Sequence, residues 1–122
     1  QVVCARSLCR YGLVHSVRRD ADYLTLTEQY ACQELIASCG LVPYYWSAEN
    51  SRGEVDLLVQ SAGTVYAIEV KAEENLRAKS LRSFKEKYSE VQARRFSLSD
   101  YREQNWLTNV PLYLMGNTGL WL

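Results

Sequence analysis

Histidine, proline and glycine are scarce in this chain: one, two and six among 122 residues. With His15 as the only imidazole, and four cysteines at 4, 9, 32 and 39 that form no C-x-x-C pair, a structural zinc site lacks its usual ligand spacing. No G-x-x-x-x-G-K-S/T run occurs, so the chain by itself is not expected to bind or hydrolyse ATP. No apolar stretch approaches the roughly 18 residues that cross a bilayer, and no signal peptide is visible, so the expectation is a cytoplasmic protein with no membrane partner. Linkers rich in Pro, Gly or Ser, internal repeats and low-complexity tracts are missing too, which argues for one domain.

Net charge is also missing. Fourteen basic and fourteen acidic residues cancel, so any affinity for nucleic acid must come from local charge rather than a global field. What remains is an ordinary globular composition, 48% apolar and 23% charged, suited to a single core. Cys32 and Cys39 fall on one face of a helical pattern, where buried reduced thiols are expected rather than a disulfide framework.

Residues 1–23 are hard to assign: Val2-Val3 and Leu13-Val14 are short apolar pieces among arginines, with Gly12 interrupting. Because the chain opens on Gln1, mid-pattern, this segment is expected to continue from upstream sequence. Residues 24–122 carry the regular patterns. A helix is expected over Thr25–Cys39, where Ala31, Leu35 and Cys39 recur at a four-residue step and Gly40 ends the run. Tyr44–Trp46, Glu54–Gln60 and Thr64–Lys71 read as strands, the last two as a hairpin around Ser61-Ala62-Gly63, with Thr64–Lys71 central. Asn75 is expected to cap a second helix whose stripe is Leu81, Phe84 and Tyr88. Strands near Arg95–Leu98 and Leu112–Met115 complete an α/β class, a mixed sheet flanked by helices.

The chemistry concentrates at one end of the hairpin. Asp56 stands early in one strand and Glu69-Val70-Lys71 closes the other; Glu69 and Lys71, two apart, share a face while Val70 points into apolar packing. Two carboxylates and an ammonium form a hard oxygen site suited to Mg²⁺ or Mn²⁺ and to phosphodiester chemistry. The plainer reading is a solvated alternation at a strand end with Asp56 in a turn. Glu28 lies on the inward stripe of the first helix near its start. It is either an acid of that site or the last member of a capping box, Thr25-Leu26-Thr27-Glu28.

Glu28, Glu54-Val55-Asp56 and Ile68-Glu69-Val70-Lys71 together resemble the PD-(D/E)xK nuclease superfamily, with Val55 where that pattern has proline. The wider run, from Thr27-Glu28-Gln29-Tyr30 through Tyr44-Tyr45-Trp46 to Lys79-Ser80-Leu81, is similar to the C-terminal domain of unknown function in bacterial AAA-type ATPases. The resemblance covers roughly residues 24–115. It implies a restriction-endonuclease-like fold of helix, three-strand meander, helix and strand. It also implies Asp56 and Glu69 as ligands of Mg²⁺ or Mn²⁺, Lys71 as the catalytic lysine, Glu28 as an auxiliary acid, and an upstream ATPase domain as partner. The activity it implies is that of a metal-dependent endonuclease; the rival is an inactive module of the same fold that binds DNA or protein.

Two further features bear on DNA. Residues 71–95 carry more basic than acidic side chains, which reads either as a phosphate-tracking face or as an exposed helix with an Arg82–Glu86 pair. Tyr44, Tyr45 and Trp46 have the chemistry to stack on bases, although packing is the commoner use of aromatics in a short strand.

Overall fold

The computed structural model describes residues 2–4, 26–47, 54–72 and 78–122. The Ser61–Thr64 turn sets the first register. Ala62 and Gly63 both take positive φ, 49° and 79°, the pattern of a two-residue type I′ turn whose twist matches that of paired strands. It joins β3 (Glu54–Ser61) to β4 (Thr64–Lys71), antiparallel, from Ser61↔Thr64 to Leu57↔Ile68. Alanine at positive φ is strained, whereas asparagine, whose short polar side chain can hydrogen-bond the nearby backbone, adopts that region more readily. Ala62→Asn should therefore stabilise the fold by about 0.5–1 kcal/mol; an unchanged or lower urea midpoint would contradict this account of the turn.

Around this hairpin lies one seven-stranded sheet in the order β1-β2-β3-β4-β5-β7-β6. The remaining strands are β1 (Val2–Cys4), β2 (Tyr44–Ser47), β5 (Gln92–Ser97), β6 (Arg102–Glu103) and β7 (Leu107–Pro111). β4 is central, as its pattern suggests, and β4, β5 and β7 run parallel while the outer pairings are antiparallel. The sheet is mixed, and among the described residues two α-helices flank it, α1 (Leu26–Ala37) and α2 (Lys79–Lys87). Among the described residues no helix is long and apolar enough to cross a membrane.

Strand alternation divides the core into two layers. On one face Ala31, Cys32 and Leu35 of α1 pack with Leu57, Val59, Ile68, Val70, Phe96 and Val110. On the other, Leu81 and Phe84 of α2 pack with Val55, Leu58, Ala67, Ala93 and Leu107. Val55 and Leu58 share a face despite their odd separation because the β2–β3 register slips between Tyr44↔Leu58 and Trp46↔Val55, as a bulge does. The C-terminus closes the α1 side: Trp121 is buried and meets Phe96 and Tyr66 edge-on at 5.1 and 6.0 Å. Its Nε1 donates to the Met115 carbonyl at 2.8 Å, and its own carbonyl accepts Arg94 Nε at 2.8 Å.

Three expectations are corrected. Leu112–Met115 is not a strand: Leu112–Leu114 form a 3-10 turn with Tyr113 exposed, and the last parallel strand, Leu107–Pro111, precedes it. Pro111 ends that strand because its fixed φ and missing N–H stop the ladder. The described part of α2 starts at Lys79 after Ala78 with no side-chain cap, while Asn75 lies outside the described residues; Tyr88 sits at the helix end, half exposed. Cys32 is disulfide-bonded rather than a reduced thiol, because spacing within a helix says nothing about a cysteine elsewhere in the chain that meets it. Cys39 is free, its thiol pushed up by burial and then by the Glu34 charge, and it lies 3.5 Å from the Met115 carbonyl it donates to.

Candidate functional site

The hairpin ladder stops at Leu57↔Ile68, although β3 runs back to Glu54 and β4 on to Lys71. At that end Asp56 takes over as acceptor: its Oδ2 receives the Val70 N–H at 2.9 Å. The side chain thus does what a backbone carbonyl does elsewhere in the ladder, and it holds a carboxylate against the peptide that follows Glu69. Glu69 and Lys71 leave β4 on one face, as their spacing requires, and pair at 3.6 Å.

Burial makes Glu69 the unusual member. Its side chain is 13% exposed against 34% for Lys71, and its Oε2 is buried without a hydrogen-bond partner. Burial pushes its carboxyl above the ordinary value, and the cations of Lys71 and Arg95 pull the other way without cancelling the rise. A buried acceptor with no donor is costly, on the order of 1–3 kcal/mol, and a cation or a proton relieves it.

Beyond Glu69 the same face continues as a polar row that the sequence reading did not single out. Glu69 stands opposite Arg95 on β5, Arg95 opposite Asn109 on β7, and Asn109 opposite Arg102 on β6. Arg95 and Asn109 are buried at 4% and 1% exposure. Asn109 uses its whole amide: Oδ1 accepts Arg95 Nε at 2.9 Å and Ser97 Oγ at 2.7 Å, while Nδ2 donates to the carbonyls of Ser99 (3.2 Å) and Asp100 (2.9 Å). The clue in the sequence is an asparagine, poor in strands, between Thr108 and Val110.

Glu28 is buried at 5% exposure in the first turn of α1, on the side that carries Ala31 and Leu35. That side packs on the Ile68 and Val70 face, whereas Glu69 and Lys71 alternate to the face of Ala67 and α2. The Thr25 end of the capping box lies outside the described residues. Two aromatics of β2 serve packing, Tyr45 buried and Trp46 edge-on to Phe84 at 4.7 Å, whereas Tyr44 is 38% exposed. Two cations of α2 are engaged, Arg82 with Glu86 at 3.1 Å and with the Trp106 ring at 6.0 Å, and Lys85 with the carbonyls of Ser89 and Val91.

Residues 25–115 match the family model described as a domain of unknown function, DUF4143, nearly the same stretch that carries the resemblance quoted above. No curated protein matches the sequence. The crystal structure of protein VC1899 from Vibrio cholerae is similar with a TM-score of 0.43 and 14% identity, over 78% of this chain and 31% of that one. The present chain thus spans under a third of that protein.

Proposed function

The chain belongs to the DUF4143 family, domains of unknown function, and we propose that it is a nuclease-like module, a metal-dependent phosphodiesterase of restriction-endonuclease-like fold acting on nucleic acid as the C-terminal part of a bacterial ATPase. The observation that carries the reading is Glu69 Oε2, a buried carboxylate oxygen without a donor, on the strand end where Asp56 and Lys71 also lie. Glu69 and Asp56 would hold Mg²⁺ or Mn²⁺. Both are hard oxygen donors, and the orphaned oxygen fits a cation. Among the described residues no group of three His, Cys, Asp or Glu gathers, so an ion held by Glu69 and Asp56 would need water for its remaining positions, as Mg²⁺ commonly keeps several. The ion, when bound, supplies positive charge against phosphate oxygens and acidity to water.

The protein's own groups divide the remaining work. Glu69, half-desolvated, would hold the cation more firmly than a solvated carboxylate, since low dielectric strengthens the pairing. Lys71, more exposed, presents its ammonium to a phosphate oxygen or to the attacking water. Asp56, anchored on the Val70 N–H, keeps the open end of the hairpin in shape.

Stability tests the metal site without a known substrate. For an assumed dissociation constant near 1 mM, 10 mM free Mn²⁺ should stabilise the fold by roughly 1.4 kcal/mol, a melting shift on the order of 3–6 °C. Asp56→Asn keeps an oxygen for the Val70 N–H and removes the charge, so it should keep the fold and lose most of that shift. Equal Mn²⁺ shifts in the two proteins, against a Ca²⁺ and ionic-strength control, would sink the site and leave the non-enzymatic binding module. With single-stranded, double-stranded and branched DNA and RNA as substrates, Lys71→Ala should abolish Mn²⁺-dependent cleavage while the protein stays folded by circular dichroism, with a lower melting temperature because buried Glu69 loses the cation it pairs with.

A further inference from the structure

The polar row ends in a pocket of about 510 Å³ bounded by β5, β6, β7 and the chain that follows β5. That volume lies within the range of small-ligand sites, about 300–1,000 Å³. The pocket also sits beside the parallel strands β5 and β7 where the chain leaves β5, the side on which α/β sheets commonly place ligands.

Its walls are chemically specific. Two guanidinium groups, Arg95 and Arg102, line it against one carboxylate, Asp100. Arg95 is 4% exposed, and Asn109 holds its Nε and so fixes the plane of the fork. Burial pushes the Arg95 guanidinium down, the Glu69 carboxylate opposes that fall, and the Arg102 charge adds a smaller push in the same direction as burial. An anion between the two guanidinium groups offsets the part of the Arg102 charge that Arg95 feels. The planar fork of arginine matches phosphate oxygens in pairs. Two aromatic rings stand on the same walls, Trp106, partly buried, and Tyr101, 41% exposed, whose hydroxyl is tied to Glu103 at 2.8 Å. Flat π surfaces beside a phosphate site are what a nucleobase needs.

We propose that this pocket binds a nucleoside monophosphate unit, with its phosphate between Arg95 and Arg102 and its base against Trp106. The site requires no metal and stands whether or not Glu69 and Asp56 hold one. Two sources present the same chemistry, a free 5′-mononucleotide and the 5′-phosphorylated end of a strand.

The test is calorimetric titration of the full chain in buffer containing EDTA, which separates this site from any divalent-ion chemistry. The ligands are thymidine 5′-monophosphate, thymidine, inorganic phosphate, and a short oligothymidylate with and without a 5′-phosphate. The monophosphate should bind at least tenfold more tightly than thymidine. Arg102→Ala, an exposed position that should leave the fold intact, should weaken monophosphate and inorganic phosphate alike by tenfold or more. Trp106→Ala should weaken the monophosphate and spare inorganic phosphate. Tighter binding of the phosphorylated oligonucleotide than of the mononucleotide assigns the strand end, and the reverse order assigns the free nucleotide. No monophosphate binding at millimolar concentration, or an Arg102→Ala protein that binds as well as wild type while folded by circular dichroism, overturns the proposal.

Discussion

Asn109→Ala should cost the fold about 3–5 kcal/mol, since four hydrogen bonds end on one buried amide and their partners are left behind. The partners decide the size of the effect. Ser97 is fully buried and Arg95 nearly so, so neither can recover its bond from solvent without moving, and a guanidinium that loses its anchor drags a charge out of place. Against a total stability of roughly 5–15 kcal/mol, this is a large fraction, and a melting temperature lower by on the order of 10 °C or more is expected. Asn109→Asp keeps the acceptor for Arg95 and Ser97 but turns a carboxylate oxygen toward the carbonyls of Ser99 and Asp100, so it should be destabilised as well. A loss below about 1 kcal/mol for the alanine variant would mean that water or a neighbour replaces the amide, and that Asn109 does not hold Arg95.

Trp121→Ala should be comparably severe, about 3–5 kcal/mol, the usual cost of a large aromatic removed from a core. The ring is 2% exposed and fills the space between Phe96, Tyr66 and the turn at Met115. The residues that match the family model stop at 115, so a protein trimmed to that boundary loses the same ring. Urea denaturation of Trp121→Ala and of a chain ended at Met115 should show similar drops in midpoint. A midpoint within error of wild type for either would remove Trp121 from the core's main supports. Trp121→Phe keeps most of the apolar area and should recover much of the loss, leaving the missing Nε1 bond to the Met115 carbonyl as the remainder.

Much of the first half of the fold is legible in local pattern. α1, β2 and the β3–β4 hairpin declare themselves because helical periodicity, strand alternation and the Ala62-Gly63 turn agree with one another. The common face of Glu69 and Lys71 is legible because a spacing of two on a strand fixes it. β7 was hidden by its own content, a buried asparagine and a terminal proline, both poor in strands, while the apolar Leu112–Met115 run that looked like a strand belongs to a turn. Arg95 falls at the end of the basic stretch 71–95, which reads either as a phosphate-tracking face or as an exposed helix, and at the start of the strand expected near 95–98. Its burial follows from parallel pairing with Glu69 and Asn109, and pairing between distant segments leaves no local trace. The disulfide at Cys32 escaped for the same reason.

One outer edge of the sheet is β6, only Arg102 and Glu103, both exposed. An edge strand offers unpaired backbone groups to any extended chain, but two charged residues give such a chain too short a ladder and require it to crowd or desolvate both charges. Growth of the sheet from that side, within one molecule or between copies, is therefore blocked by brevity and charge together. Arg102 serves this edge as well as the pocket behind it.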